Sequence, residues 1–305
     1  MISYLAKRLA VGFLAALMVS IITFLLTNLA VDPAVALAGG TASHQDIEAI
    51  RSLYGFDKHI LIRYLDWVIG VLSGDFGISF RTHRPVFELI FERLPVTLTL
   101  GFSSLLLAIT ISIPLAILAS LYPNTWIDRF CLTLAVLGQA LPTFWFGLLM
   151  IVFFSVYLGW LPASGSGGWT HYVMPSIALG YYAMPALMRL TRTGLLDVLS
   201  ADYIRTAHAK GLKPIVVLFK HALRNAVIPV ISLAAVQFGL MLGGSIIIET
   251  VFALPGIGYL AWDAIMQADF PVVQAIVLIV SVIYIILILL ADFLNAALDP
   301  RIRSV

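Results

Sequence analysis

No residues in this 305-residue chain are spaced for covalent chemistry. There is no G-x-x-x-x-G-K-[ST] loop to cradle phosphates, no G-x-S-x-G nucleophile turn and no H-E-x-x-H metal pair. Cys131 is the one cysteine, so no internal disulfide is available. His44, His59, His83, His171, His208 and His221 are scattered, and none is read as a metal ligand. What remains is charge, and it is concentrated. Between residues 189 and 224 stand Arg189, Arg192, Arg205, Lys210, Lys213, Lys220 and Arg224, against only Asp197 and Asp202. A simple connector needs only a few residues. This one is long, basic and punctuated, which fits docking on another protein or lying on anionic lipid.

The punctuation predicts two short helices. Ser200 is placed to cap the first, Asp202 suits its positive end, Lys210 its negative end, and Gly211 supplies a left-handed stop. Lys213-Pro214 closes that unit, and a second helix is expected over 215–225, running toward Pro229. On the first helix Tyr203, Ala207 and Gly211 follow i, i+4 spacing. That face is small enough to sit in a groove, with Arg205 and Lys210 flanking it.

The elements that must carry this loop are membrane spans. Hydrophobic residues make up 61% of the chain and charged residues 11%, with a mean hydropathy of +1.02. Soluble domains run near 45–50% and about 25%. A soluble enzyme, a disordered tail and a secreted disulfide scaffold are all excluded. A span needs about 20 apolar residues. Five windows are free of Asp, Glu, Lys and Arg, and the one over 130–188 is long enough for two helices, which gives six spans: about 9–31, 99–121, 133–158, 173–191, 227–248 and 272–291. The turn between the third and fourth is read at Gly159 to Trp169, where Pro162, Gly165, Gly167 and Gly168 cluster. Lys7, Arg8 and Ala36-Leu37-Ala38 resemble parts of a cleaved leader, but the apolar stretch exceeds a leader's core. An uncleaved first helix is expected.

Basic residues favour the cytoplasmic side of short loops. Lys7 and Arg8, the 189–224 loop, and Arg301 and Arg303 all fall on one side if both termini are cytoplasmic. The loop after the fifth span, with Glu249, Asp263 and Asp269, is then external, as is the segment 32–98. That segment shows helical spacing at Ile47, Ile50 and Leu53 behind a Ser43 cap, and again over 60–72, where Tyr64 and Trp67 could anchor at an interface. The expected parts are therefore 1–31 (first span), 32–98 (external helices) and a five-helix core, 99–305, holding the loop 189–226.

The predicted spans contain essentially no ionisable residues, which argues against a proton-coupled carrier. Among their neutral polar groups Gln139 and Gln237 could line a path, while Asn28, Thr97, Thr99, Ser176 and Ser245 suit helix packing. Pro114, Pro142, Pro175, Pro185 and Pro229 allow kinks. Gly239 and Gly243, with Gly244 following, form a G-x-x-x-G pattern that allows close helix contact, within the chain or between subunits.

The residues from Asp202 to Leu212, and from Lys220 to Val230, resemble the cytoplasmic loop of binding-protein-dependent ABC importer permeases of the dipeptide/oligopeptide/nickel branch. Further stretches fit the first permease subunit of that branch: 54–58, 74–77, 93–97, 238–245, 249–252, 255–258 and 299–303. The resemblance covers essentially the whole chain. In the superfamily's Glu-Ala-Ala, three residues, Gly motif, Arg205-Thr206-Ala207 take the first three places and Gly211 stays in register. His208 stands where the family carries Arg.

The resemblance implies an all-α integral membrane protein of type I importer permease architecture, with six spans and a small external insertion between the first two. It implies a sister permease, two P-loop ATPase subunits, an external substrate-binding protein and contact with membrane lipid, with no nucleic acid. No cofactor is implied on this chain, since ATP and Mg would sit on the ATPases. The loop helix would be the coupling helix, with Asp202, Tyr203, Arg205, Thr206, Ala207, Lys210 and Gly211 docking on an ATPase subunit. Gly211→Pro and Ala207→Trp are expected to uncouple transport without blocking insertion. Peptides are the expected cargo; nickel or metal chelates, glutathione, opine-like compounds and oligosaccharides are alternatives within the family. An ATPase-independent channel is the alternative from another class.

Overall fold

The computed structural model describes residues 2–29, 32–39 and 42–298. The motif from Asp299 to Arg303, with the basic Arg301 and Arg303, and the end of the first predicted span at Ala30 and Val31 lie outside the described residues. The fold is all-α. α1 (Ile2–Leu29), α5 (Val86–Leu121), α12 (Ile228–Val251) and α14 (Phe270–Leu298) contain segments long and apolar enough to cross a membrane. α5 has 36 residues, about 54 Å at 1.5 Å each, so it outruns a hydrocarbon layer of about 30 Å.

The third predicted span is not one straight helix. α6 (Trp126–Ala140) and α7 (Thr143–Met150), the latter continued by a π-helical turn over Ile151–Tyr157, meet at 99°. The cause is local. Pro142 has no amide hydrogen to continue α6, and it pushes Leu141 into extended backbone (φ −107°, ψ 137°). The fourth predicted span lies inside α8 (Thr170–Leu199), which is 30 residues long but less apolar than the other spans. α8 packs against α6, α7 and α12, which bury Ser176 and partly cover Tyr172, Tyr181 and Arg192, while Tyr182 and Arg189 stay exposed.

Two compact units emerge from the packing of the described residues: those up to Thr97 with Pro255–Ile285, and Leu98–Leu254 with those from Ile286 to Leu298. This partition follows packing, whereas the predicted parts follow membrane topology.

The first unit contains α2 (Pro33–Ala38), α3 (His44–Leu53), α4 (Ile60–Leu72) and α13 (Ile257–Met266). Ser43 caps α3 as expected. Its hydroxyl accepts from the Asp46 amide, and the Asp46 carboxylate accepts from the Ser43 amide. α4 is held on α1: Phe24 meets Tyr64 edge-on at 5.3 Å and Trp67 at 5.9 Å, and Ser20 Oγ lies 2.8 Å from the Tyr64 hydroxyl. Residues 249–269 are not simply the loop expected from the sequence. The helix α13 within it buries Ile257, Leu260, Ala261 and Ala264, an i, i+3, i+4, i+7 face. Asp269, expected in the external loop, is buried and accepts from Ser79 Oγ (2.5 Å) and the Phe80 amide (3.0 Å).

In the second unit glycine sets the helix spacing. A methyl at Gly180 would fall 2.5 Å from the Ser104 carbonyl oxygen, and one at Gly138 2.6 Å from that of Tyr181. Pro185 cannot donate an amide hydrogen to that Tyr181 carbonyl. The bare Gly138 backbone therefore approaches α8 where its ladder is open. Tyr181 returns the contact, its hydroxyl donating to the Leu134 carbonyl at 2.7 Å.

Candidate functional site

α8 ends at Ser200, whose hydroxyl turns back to the Asp197 carbonyl (2.8 Å). The expected capping role of Ser200 is therefore corrected. Ala201, in extended backbone, occupies the N-cap of α9 (Asp202–Ala209), and no side chain caps it. Asp202 opens the helix as its acidic first-turn residue. Gly211 adopts φ +76°, the left-handed stop that the sequence requires of it. The second expected helix is continuous over α10 (Pro214–Val216), a π-helical turn (Val217–Leu223) and α11 (Arg224–Ala226).

The face of α9 differs from the spacing argument. Ile204 (2% exposed) and Ala207 (7%) turn inward and pack with Leu195 of α8 and with Val217, Ala222 and Ala226. Ala207 is therefore not on an open docking face with Tyr203 and Gly211. The i, i+3 pair Ile204/Ala207 holds the apolar side, and burying it rotates Tyr203 outward. The exposed side carries Asp202, Tyr203, Arg205, Thr206 and Lys210. Asn225 Nδ2 donates to the Tyr203 hydroxyl at 2.9 Å and fixes it. The exposed Arg205–Asp202 pair, at 3.4 Å, adds little stability.

Beyond α8 lies a cavity of about 650 Å³ at the α6–α7 corner. It brings Gln139 and Gln237 together, from elements far apart in sequence. Gln139 Nε2 lies 3.5 Å from the Tyr182 carbonyl and Gln237 Nε2 3.5 Å from that of Ala183. The wall also includes Thr143, Tyr182 and Gly244 and carries no charged side chain. The rest of the wall is apolar, with Leu141, Phe144, Leu179, Leu240, Met241 and Ile247, so the cavity offers a solute a few amides, hydroxyls and carbonyls on an apolar surface and no ion pair.

Of the two contacts that the G-x-x-x-G pattern allows, within the chain or between subunits, the chain itself shows no tight one at Gly243 or Gly244. Gly239 is buried, but a methyl at Gly243 would meet nothing within 4 Å, and one at Gly244 would only reach Leu179 at 4.0 Å. Much closer approaches to a neighbouring backbone are made at Gly138 and Gly180, which no motif marks. Sequence reasoning also missed the ion pair of Asp128 with Arg192, bidentate at 2.7 and 2.6 Å and joining the start of α6 to α8. Their separation along the chain left no signal beyond two opposite charges expected on one side. Among the described residues no group of three His, Cys, Asp or Glu could hold a metal.

Residues 112–304 match the family described as "Binding-protein-dependent transport system inner membrane component", and residues 1–101 match the corresponding N-terminal family. The chain belongs to this family. It is 42% identical over 304 residues to the glutathione transport system permease protein GsiC of Salmonella typhimurium (strain LT2), covering 99% of each chain. It is likewise 42% identical over 305 residues to that of Escherichia coli (strain K12), again with 99% of each covered. Among solved structures it is similar to the MetNI methionine ABC transporter in an inward-facing conformation. The TM-score is 0.59 at 19% identity, over 69% of this chain and 96% of that one. That likeness shows the fold, the type I ABC importer permease architecture expected from the sequence. The chain is an inner-membrane permease subunit of a binding-protein-dependent ABC importer, a transport component rather than an enzyme.

Proposed function

We propose that this permease forms one half of an ATP-driven import path for short peptides, glutathione included, and that α9 receives the mechanical stroke. The 42% identity to glutathione permeases over 99% of both chains carries the cargo class. Glutathione is itself a small peptide. The uncharged cavity holding Gln139 and Gln237 supports it, because a zwitterion can pass amides and carbonyls without being trapped by a counter-charge. Cargo selection then rests largely on an external binding protein. A sister permease completes the path, and two P-loop ATPases hold ATP and Mg. Both termini and the 189–226 loop face the cytoplasm, in keeping with their basic residues.

The proposed stroke follows packed contacts. ATPase closure displaces the exposed side of α9. Ile204 and Ala207 pass the displacement to Leu195 of α8. α8 carries the Tyr182 and Ala183 carbonyls that face the two glutamines. A packed core moves as a unit rather than deforming, so α9 and the cavity wall are coupled through one helix. Purification from native membranes in mild detergent, followed by reconstitution with the recovered partners, tests the reading. The expected result is a second permease and P-loop ATPases in the complex, with glutathione uptake that requires ATP and is competed by short peptides. Solute flux through the chain alone without ATP would overturn it.

A further inference from the structure

Lys220, His221 and Arg224 line one part of a cavity of about 460 Å³, and Val227, Ile228 and Ile231 line another. The two parts follow one another along the chain. The cations come from the π-helical turn and α11, and the apolar wall from the start of α12, which continues as a membrane-spanning helix. No carboxylate lines this cavity. Among the described residues Lys220 and Arg224 enter no ion pair. Lys220 and His221 also sit within a π turn, a winding frequent at functional sites.

Two uncompensated cations beside an apolar wall at the head of a span match one chemistry: an anionic group carrying hydrocarbon. We propose that the cavity binds the phosphate headgroup of an anionic phospholipid, such as phosphatidylglycerol, with its acyl chains along Val227, Ile228 and Ile231. A free phosphate shares the headgroup chemistry but has no use for the apolar wall. Basic pockets beside membrane helices recognise lipid headgroups in this way. Asn225, also in the lining, bonds Tyr203, so the bound lipid touches the group that steadies α9. Only the choice of the cytoplasmic leaflet rests on the proposed function.

Native mass spectrometry of the full chain in neutral detergent, titrated with phosphatidylglycerol or phosphatidylcholine, tests the site. The wild type is expected to retain phosphatidylglycerol in preference to phosphatidylcholine. Lys220→Gln with Arg224→Gln is expected to weaken phosphatidylglycerol binding about 30-fold, from two surface charges removed. Lys220→Arg with Arg224→Lys keeps both charges and is expected to restore it, which separates binding from misfolding. Equal retention of the two lipids, or unchanged binding by the glutamine variant, would overturn the proposal. Displacement by equimolar inorganic phosphate would assign the site to a small anion instead. Loss of the bound lipid when the ATPase subunits assemble would assign the surface to a subunit contact. The lipid is read on the chain itself, so failure of the import reading leaves this result standing on its own.

Discussion

Asp128 and Arg192 form a largely buried, bidentate ion pair. The Asp128 side chain is 4% exposed and that of Arg192 19%. Asp128 also accepts from the Asn124 amide at 2.9 Å, where Asn124 holds φ +62°. Removing one member of a buried pair strands the other, at a cost of about 3 kcal/mol. Asp128→Ala is therefore expected to lower the thermal midpoint of the purified chain clearly, and an unchanged midpoint would contradict the role given to the pair. Asp32 gives a pH-dependent counterpart. Burial raises its carboxyl, but hydrogen bonds from Arg51 and the Ala34 amide, together with the charge of Arg51, outweigh burial and hold it below its ordinary value. The folded form thus keeps this proton off where the unfolded chain has taken it up. The stabilisation is full above about pH 4, the ordinary carboxylate range, and fades as pH falls through the folded value. Hydrogen exchange in α2 and α3 should accelerate on such acidification in the wild type, and Asp32→Asn should abolish that acid step. Each of these charges is visible in the sequence. Their pairing is not, because nothing local says that residues 64 apart, as Asp128 and Arg192 are, will meet.

At the scale of the elements, glycine separates what the sequence shows from what it hides. The G-x-x-x-G pattern marks one face of α12 but cannot say what lies against it, and Gly243 turns out to face open space. The lone Gly138 and Gly180 look unremarkable in sequence, yet each touches a backbone carbonyl of another helix. Gly180→Ala is expected to cost about 1–3 kcal/mol through overpacking, read as loss of detergent-stable protein. Gly243→Ala is expected to leave the isolated chain as stable as wild type. Equal effects of the two would contradict the packing described. Proline was more legible. Pro142 was marked as a kink site, and the 99° corner forms there, though its size depends on neighbours the sequence does not display. The helix α13 had a readable face in Ile257, Leu260, Ala261 and Ala264, masked by the acidic residues and turn signals around it.

For the whole molecule, α9 is the proposed point where force enters. The loop was legible because its charge, its Gly211 stop and its family resemblance agree. The inward turn of Ala207 was not, since i, i+4 spacing from Tyr203 cannot say which neighbour belongs to the core. The variants divide accordingly. Gly211→Pro forces φ near −65° on a residue held at +76° and is expected to abolish uptake while the chain still inserts. Ala207→Trp now overpacks a buried cluster and tests folding rather than docking. The exposed Thr206 is the cleaner probe. The most direct test is site-directed cross-linking in the assembled importer, feasible because the native Cys131 is buried. Thr206→Cys is predicted to cross-link to an ATPase subunit, with a yield that changes when ATP binds, while Ala207→Cys stays silent. An intact, transporting complex in which Thr206→Cys never reaches an ATPase would contradict the account.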